Sequence, residues 1–225
     1  MTPPPGQSMT VAELSPVIYS AGRVFDDLSA SSEATEEFLR AGSSMFIRSR
    51  ADLALLEDLR DIAQRILDHA GAGRGVDAAL VCDLNATITR SGPLHPGQFR
   101  RDDQSIGVRT RYGIHTPPAI EDVELQGLIT GAQESGSVRE QALSLFVAIA
   151  KAQPFEDGNK RTGIFTANTL LVSEKAGAML TVPVGVVHGV ELSGRFNDLL
   201  ARAYLFEEDD GLKTLLRAHG FVATR

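Results

Sequence analysis

The stretch KAQPFEDGNKRTG, residues 151–163, decides how the rest of the sequence is interpreted. It lies between two apolar segments with helical periodicity, and its second half places an acid, a glycine, an amide and two cations next to one another at residues 157–161. The first backbone N–H groups of a helix have no partner within the helix, and the helix dipole adds partial positive charge there. A loop that runs into a helix at these residues is therefore expected to bind an anion.

The side chains of this stretch indicate which anion would bind. Arg161 can hold a phosphate by two parallel hydrogen bonds, and Lys160 adds a second positive charge. Gly158 lets the backbone approach a ligand, and Asn159 can donate from its side-chain amide. Asp157 would repel phosphates unless a cation lay between them, and Mg²⁺ bound by one carboxylate and the phosphates has that role. The stretch predicts a Mg²⁺-nucleotide site, and the alternative is a capped helix start with surface charges.

The remaining sequence is dominated by helical periodicity. Apolar spacing predicts helices over 33–47, 51–70, 76–90, 120–133, 138–152, from about 160, over 193–205 and over 209–219. In the first of these helices, Phe38, Met45 and Phe46 are expected to be buried. Proline, glycine and a short polar–apolar alternation at 106–112 instead predict a loop with a small strand or hairpin. We therefore expect an all-α helical bundle with one small β-hairpin flap, a single domain over 16–225, and a disordered tail over 1–15.

Composition excludes several classes of protein. The 225 residues, 43% hydrophobic and 23% charged, are typical of a soluble globular protein. A net charge of -7 argues against a general nucleic-acid binder. A single cysteine, Cys82, excludes an internal disulfide and a multi-cysteine zinc site. The sequence has no apolar run long enough for a membrane span and no secretory signal pattern at its start, so we expect a cytoplasmic protein without a membrane partner.

Residues 153–162, QPFEDGNKRT, resemble the signature of the Fic/Doc (Fido) family, H-x-F-x-[D/E]-G-N-G/K-R. The upstream segments LHPGQFR (94–100) and RTRYG (109–113) resemble the pre-flap and flap regions of that family, and the resemblance extends over roughly residues 50–205. It implies an all-α Fic fold. It also implies a transferase that moves AMP or another phosphate-containing group from ATP or another nucleotide to a protein or small-molecule acceptor.

The resemblance assigns roles to individual residues. Asp157 would hold Mg²⁺, and Arg161 would bind the phosphate tail. The anion hole around the phosphates would be formed by Gly158, Asn159 and Lys160. The flap would dock the backbone of the target by strand-like pairing, and its residues are Val108, Arg109, Thr110 and Arg111. The implied catalytic set is Gln153, Lys160 and Arg161.

Gln153 departs from the family because it occupies the position of the catalytic histidine. A glutamine amide cannot accept a proton near neutral pH, and loss of a general base typically costs on the order of 10²–10⁴ in rate. Three explanations remain open at this point. The protein binds nucleotide without catalysis, or another residue such as His95 or His115 is the base, or the acceptor is already anionic and is oriented by the Gln153 amide.

Two further departures concern the phosphates and regulation. Lys160 replaces the commonest glycine and resembles the Doc-like branch, in which the nucleotide lies reversed and a toxin phosphorylates its target. Ile164 replaces a second arginine, and no [ST]-x-x-x-E-[GN] inhibitory pattern is present, since the nearest approach, Ser32 to Glu36, is followed by Glu37. The sequence therefore gives no support for regulation in cis and leaves open a small regulatory partner protein.

Overall fold

The computed structural model describes residues 9–101, 103–104 and 106–224. Within these residues the chain forms nine α-helices: α1 (Ser15–Phe25), α2 (Ser32–Ala41), α3 (Arg50–Gly71), α4 (Ala78–Ala86), α5 (Asp122–Gln133), α6 (Val138–Ala152), α7 (Asn159–Ser173), α8 (Leu192–Phe206) and α9 (Asp209–His219). A short 3-10 helix, Val11–Leu14, precedes α1. The predicted all-α fold is confirmed.

The strands form three small antiparallel pairs. β1 (Val108–Thr110) pairs with β2 (Gly113–His115), and this hairpin is the predicted flap. The other two pairs are β3 (Ala178–Leu180) with β6 (Phe221–Ala223), and β4 (Val186–Val187) with β5 (Val190–Glu191). The flap lies beside the loop between α6 and α7, since its residue Val108 shares a cavity with that loop.

Helix α7 lies at the centre of the bundle, where it packs against α3, α4 and α6. Gly163 allows a close approach to α6, because a Cβ at this position would lie 3.2 Å from the carbonyl oxygen of Phe146. The buried hydroxyl of Thr166 donates to a carbonyl of the preceding turn, and Asn168 makes two hydrogen bonds to the backbone of Leu180 in β3. These bonds satisfy polar groups that would otherwise be costly inside the core.

Three boundaries differ from the sequence prediction, and one of them is the end of α4, which falls at Ala86 rather than near residue 90. Helix α2 ends at Ala41 rather than near residue 47, because Gly42 adopts a left-handed conformation with φ 67° and caps the helix. The prediction that Met45 and Phe46 are buried was therefore wrong, and their exposed fractions are 79% and 59%. Of the predicted tail over 1–15, residues 1–8 lie outside the described residues, and residues 11–15 are helical.

Helix α1 was not predicted, although its buried residues Val17, Ile18 and Ala21 have helical spacing. Its C-terminal end reaches the loop before α7, because Phe25 and Asp26 line the same cavity as that loop. Among the described residues, none of the helices combines the length and apolar character needed to cross a membrane.

Candidate functional site

The loop between α6 and α7 is shaped by two residues in the left-handed conformation. Gln153 caps α6 with φ 48°, and Gly158 precedes α7 with φ 76°. A Cβ at Gly158 would lie 2.5 Å from Ile88 Cδ1, so glycine is required by space as well as by conformation. Asn85 of α4 fixes the same turn, because its amide donates to the Asp157 carbonyl oxygen at 3.0 Å. Sequence analysis missed Asn85, which lies 72 residues away along the chain.

The two amide side chains of the loop bond to the protein itself. Asn159 Nδ2 donates to Gln153 Oε1 at 3.0 Å and to the Phe155 carbonyl oxygen at 2.9 Å, while its Oδ1 accepts from the Phe155 N–H at 2.9 Å. Gln153 Nε2 donates to the Ala150 carbonyl oxygen at 2.6 Å. Both side chains are buried. In this conformation the Asn159 amide holds the loop closed, which leaves the backbone N–H groups of the first turn of α7 as the anion donors at this position.

Arg161 is held along one edge of its guanidinium. Nη1 donates to Ser91 Oγ at 2.8 Å, and Nη2 donates to the Ser91 carbonyl oxygen at 3.1 Å. The other edge faces two carboxylates, with Nε 3.5 Å from Asp26 Oδ2 and Nη2 3.6 Å from Asp157 Oδ2. The side chain is only 2% exposed. Both ion-pair distances exceed that of a good hydrogen bond, and Arg161 also lines a cavity beside the loop.

Lys160 and Asp26 lie close together above the end of α1. The Lys160 ammonium lies 5.0 Å from the centroid of the Phe25 ring, within the range of a cation–π contact. Burial lowers the pKa of Lys160, against the attraction of Asp26 and Asp157. Burial likewise raises the pKa of Asp26, against the attraction of Arg161 and Lys160. Within the described residues, Asp26 Oδ2 is buried and accepts no hydrogen bond.

Asp157 is the most accessible acid of the loop, with 61% of its side chain exposed. Its Oδ1 accepts from the Gly158 N–H at 2.6 Å, which leaves Oδ2 directed to the Arg161 side. No group of three or more His, Cys, Asp and Glu side chains that could hold a metal occurs in the part of the chain that the structure describes. An exposed single carboxylate next to cations still fits Mg²⁺, which is usually held by one or two carboxylates together with phosphates and water.

A cavity of about 240 Å³ brings the predicted loop residues together. Its walls include Asp26, Gln153, Asp157, Lys160, Arg161 and the flap residue Val108. A second cavity of about 290 Å³ lies between β1 and α8, and Val108 and Lys160 line both cavities. The other predicted flap residues, Arg109, Thr110 and Arg111, line only the second cavity.

The two histidines considered as alternative bases are both engaged. His115 Nε2 lies 2.7 Å from the Lys151 carbonyl oxygen, and the ring stacks on Tyr204 at a centroid distance of 4.7 Å. His95 Nδ1 lies 3.0 Å from Glu156 Oε1, and 56% of the His95 side chain is exposed. Among the described residues, the lining of the 240 Å³ cavity includes Glu156 and neither histidine.

A larger cavity of about 1000 Å³ lies away from the loop, and its lining includes Leu39 of α2, Leu67 of α3 and Leu171 of α7. Its lining contains none of the residues 153–161. We therefore place the candidate site at the cavity of about 240 Å³, where Lys160, Arg161, the start of α7 and the accessible carboxylate of Asp157 converge.

Part of the chain is similar to a known protein family. A model of the Fic/DOC family matches residues 75–171, which contain the flap, the loop and most of α7. None of the curated proteins compared with the chain matches it. Three solved structures share the fold at low sequence identity. A Fic-domain signaling protein from Bacteroides thetaiotaomicron is 16% identical with a TM-score of 0.64, and the match covers 91% of this chain and 80% of that protein.

The other two structures are longer than the present chain. Fic-1 from C. elegans is 15% identical with a TM-score of 0.65, and the match covers 91% of this chain and 59% of that one. A Fic family protein from Desulfovibrio desulfuricans is 14% identical with a TM-score of 0.60, and the match covers 92% of this chain and 64% of that one. The chain thus spans less than two thirds of each of these two proteins.

Proposed function

We propose that the protein is a transferase that uses a Mg²⁺-nucleotide, on the premise that residues 75–171 match the model of the Fic/DOC family. It moves AMP, another nucleotide moiety or phosphate from ATP or a related donor to a protein or small-molecule acceptor. The observation that carries this proposal is the convergence of Asp157, Lys160 and Arg161 on one cavity at the start of α7.

Three features of the site support phosphate binding. The start of α7 supplies backbone N–H groups and the positive end of the helix dipole. Arg161 lines the first cavity, and Lys160 borders both cavities. Asp157 would hold Mg²⁺, whose charge would offset that of the phosphates when it is bound. Together these groups bind and orient the phosphate chain of the donor.

The second cavity provides room for the nucleoside. Its volume of about 290 Å³ and its lining by Leu200, Ala201 and Tyr204 of α8 suit a flat, partly apolar base. Val108 and Lys160 border both cavities, so a ligand can extend from one into the other past these two side chains. The flap strand β1 closes one side of this path, which agrees with a role of Val108, Arg109, Thr110 and Arg111 in docking the acceptor.

One observation favours a second candidate, a nucleotide-binding module without catalysis. The Gln153 amide donates to the Ala150 carbonyl oxygen and accepts from Asn159, so its hydrogen bonds stabilise the loop and do not point to an acceptor molecule. An amide cannot remove a proton from a hydroxyl. The same bonds argue against the interpretation in which Gln153 orients an anionic acceptor.

Labelled nucleotides distinguish the two candidates. The natural protein and Gln153→His are incubated with Mg²⁺ and ATP labelled at the α- or the γ-phosphate, and binding is measured separately by calorimetry. A transferase is expected to label itself or an acceptor, more strongly in Gln153→His, and the position of the label identifies the transferred group. Binding without transfer in both proteins would support the module. Absence of nucleotide binding with and without Mg²⁺ would refute both.

A further inference from the structure

Asp58 is a fully buried carboxylate in the middle of α3, far in sequence from the loop before α7. Its oxygens accept from the backbone N–H groups of Arg90 at 3.0 Å and Ser91 at 2.8 Å, and from the Arg90 guanidinium at 2.9 Å. Asp58 Oδ2 also accepts from the Ser91 hydroxyl at 2.8 Å. A buried charge is stable only when it is paired and hydrogen-bonded, and these contacts meet that requirement.

Ser91 connects this carboxylate to the candidate site. Its hydroxyl has a single proton, and that proton is directed to Asp58, so the hydroxyl oxygen presents its lone pairs to Arg161 Nη1 at 2.8 Å. The Ser91 carbonyl oxygen accepts from Arg161 Nη2 at 3.1 Å. One residue therefore holds two nitrogens of the guanidinium, and a carboxylate behind it fixes the direction of its hydroxyl.

We infer that Asp58 and Ser91 are positioning residues that preset Arg161 for a phosphate. The inference rests on the proposed function, in which Arg161 binds the phosphates of the donor. With two nitrogens of the guanidinium held by Ser91, the Arg161 side chain stays in place beside the cavity before any ligand arrives. Fixing a long side chain in advance lowers the entropy lost on binding. Neither Asp58 nor Ser91 lies in the loop or touches the cavity.

A purely structural role for Asp58 would be to hold the loop after α4. That role depends on backbone N–H groups of residues 90 and 91, which persist when the serine side chain is replaced. Ser91→Ala removes the hydroxyl between Asp58 and Arg161 and leaves those backbone bonds in place. Ser91→Ala therefore separates positioning of Arg161 from support of the loop, whereas a change at Asp58 would affect both.

The chain offers a matched control. Ser29 Oγ donates to Asp52 Oδ2 at 2.5 Å. Ser29 is therefore also a serine bonded to a carboxylate of α3, and Asp52 lies in the first turn of that helix.

Ser91→Ala is expected to weaken binding of Mg²⁺-ATP and of inorganic tripolyphosphate about tenfold, as loss of an outer partner of a binding group commonly does. Ser91→Thr keeps a hydroxyl and is expected to restore binding, and Ser29→Ala is expected to leave it unchanged. Calorimetry measures the affinities, and thermal unfolding shows whether each variant is folded.

A second measurement needs no ligand. The guanidinium resonances of Arg161, assigned by comparison with Arg161→Lys, are expected to show hindered rotation in the natural protein, Ser29→Ala and Ser91→Thr. In Ser91→Ala the bond from Nη1 is lost while the bond from Nη2 to the carbonyl oxygen of residue 91 remains, so faster rotation of the Nη1 group is expected. Unchanged Arg161 resonances in Ser91→Ala, or unchanged affinity in that variant while the natural protein binds, would overturn the inference. If the natural protein binds neither ATP nor tripolyphosphate, the proposed function fails and the phosphate role fails with it, while the resonances still decide whether Ser91 positions Arg161.

Discussion

Asp26→Asn is expected to tighten the binding of Mg²⁺-nucleotide, because the Asp26 carboxylate occupies the edge of Arg161 that a phosphate would use. The two groups lie 3.5 Å apart. At this distance the attraction of a unit charge pair is about 1 kcal/mol at the dielectric constant of water and about 5 kcal/mol at an effective value of 20. Asp26 Oδ2 is buried and the Arg161 side chain is 2% exposed, so the lower figure is a minimum. It corresponds to an affinity gain of about five- to tenfold.

Titration calorimetry with Mg²⁺-ATP at low salt measures this gain, and Asp27→Asn is the control. Asp27 is the exposed neighbour, so its replacement removes the same charge without changing a contact of Arg161. An affinity of Asp26→Asn that equals or falls below that of Asp27→Asn would show that Asp26 supports the site rather than competes with its ligand.

The same variant has a pH-dependent effect on stability. Because burial raises the pKa of Asp26, the folded state favours the neutral form of this carboxyl. The neutral carboxyl therefore contributes to stability below the ordinary aspartate pKa, and this contribution is lost as pH rises through the raised pKa. Asp26→Asn is therefore expected to raise the melting temperature at neutral pH. The gain should vanish in acid, and a gain that grows with acidity would contradict the argument.

The other predictions concern stability and are measured by urea unfolding. Asn159→Ala should lower the free energy of unfolding by roughly 2–4 kcal/mol, because it leaves buried loop groups without partners. Gly158→Ala should cost more than Gly42→Ala, since both positions have positive φ and only the first would clash, and Gly42→Ala should cost about 1–2 kcal/mol. Hydrogen bonding to Arg217 lowers the pKa of Glu140, so the pair stabilises the fold above the ordinary glutamate pKa. Arg217→Ala should cost at most about 1 kcal/mol at pH 7, since both side chains are partly exposed, and the cost should shrink as pH falls through the lowered pKa of Glu140.

Periodic and local features of the fold were predictable from the sequence. Strong apolar spacing placed α3, α6, α8 and α9 within a residue or two of their observed bounds, and the proline- and glycine-rich segment contained the flap. The end of α2 was missed because a single left-handed glycine outweighed the apolar residues beyond it. Local patterns report which residues face a core, and a capping residue can stop a helix before those patterns end.

The predicted site residues Gln153 and 157–161 line one cavity, but the groups that surround them were not predictable. Asp26 directly follows α1 and lies 135 residues before Arg161. Ser91 and Asn85 reach the loop from the region of α4, and their side chains carry no local signal of that role. These contacts arise from packing between distant segments, so single-sequence patterns do not record them. Gln153 is a further example. Its identity in the sequence shows that its amide cannot act as a general base, and only the structure shows that this amide bonds to Ala150 and Asn159.

Most of α7 is enclosed by neighbouring helices, and its buried polar side chains are bonded in place. The two cations at its start are therefore attached to a part of the molecule that has little freedom to shift. If the protein is a transferase as proposed, adaptation to different acceptors is expected from the flap, whose β2 residues Gly113 and Ile114 are exposed. The cavity proposed for the nucleoside is lined by flap residues 108–111, so a search for altered acceptor specificity should begin at the two β2 positions.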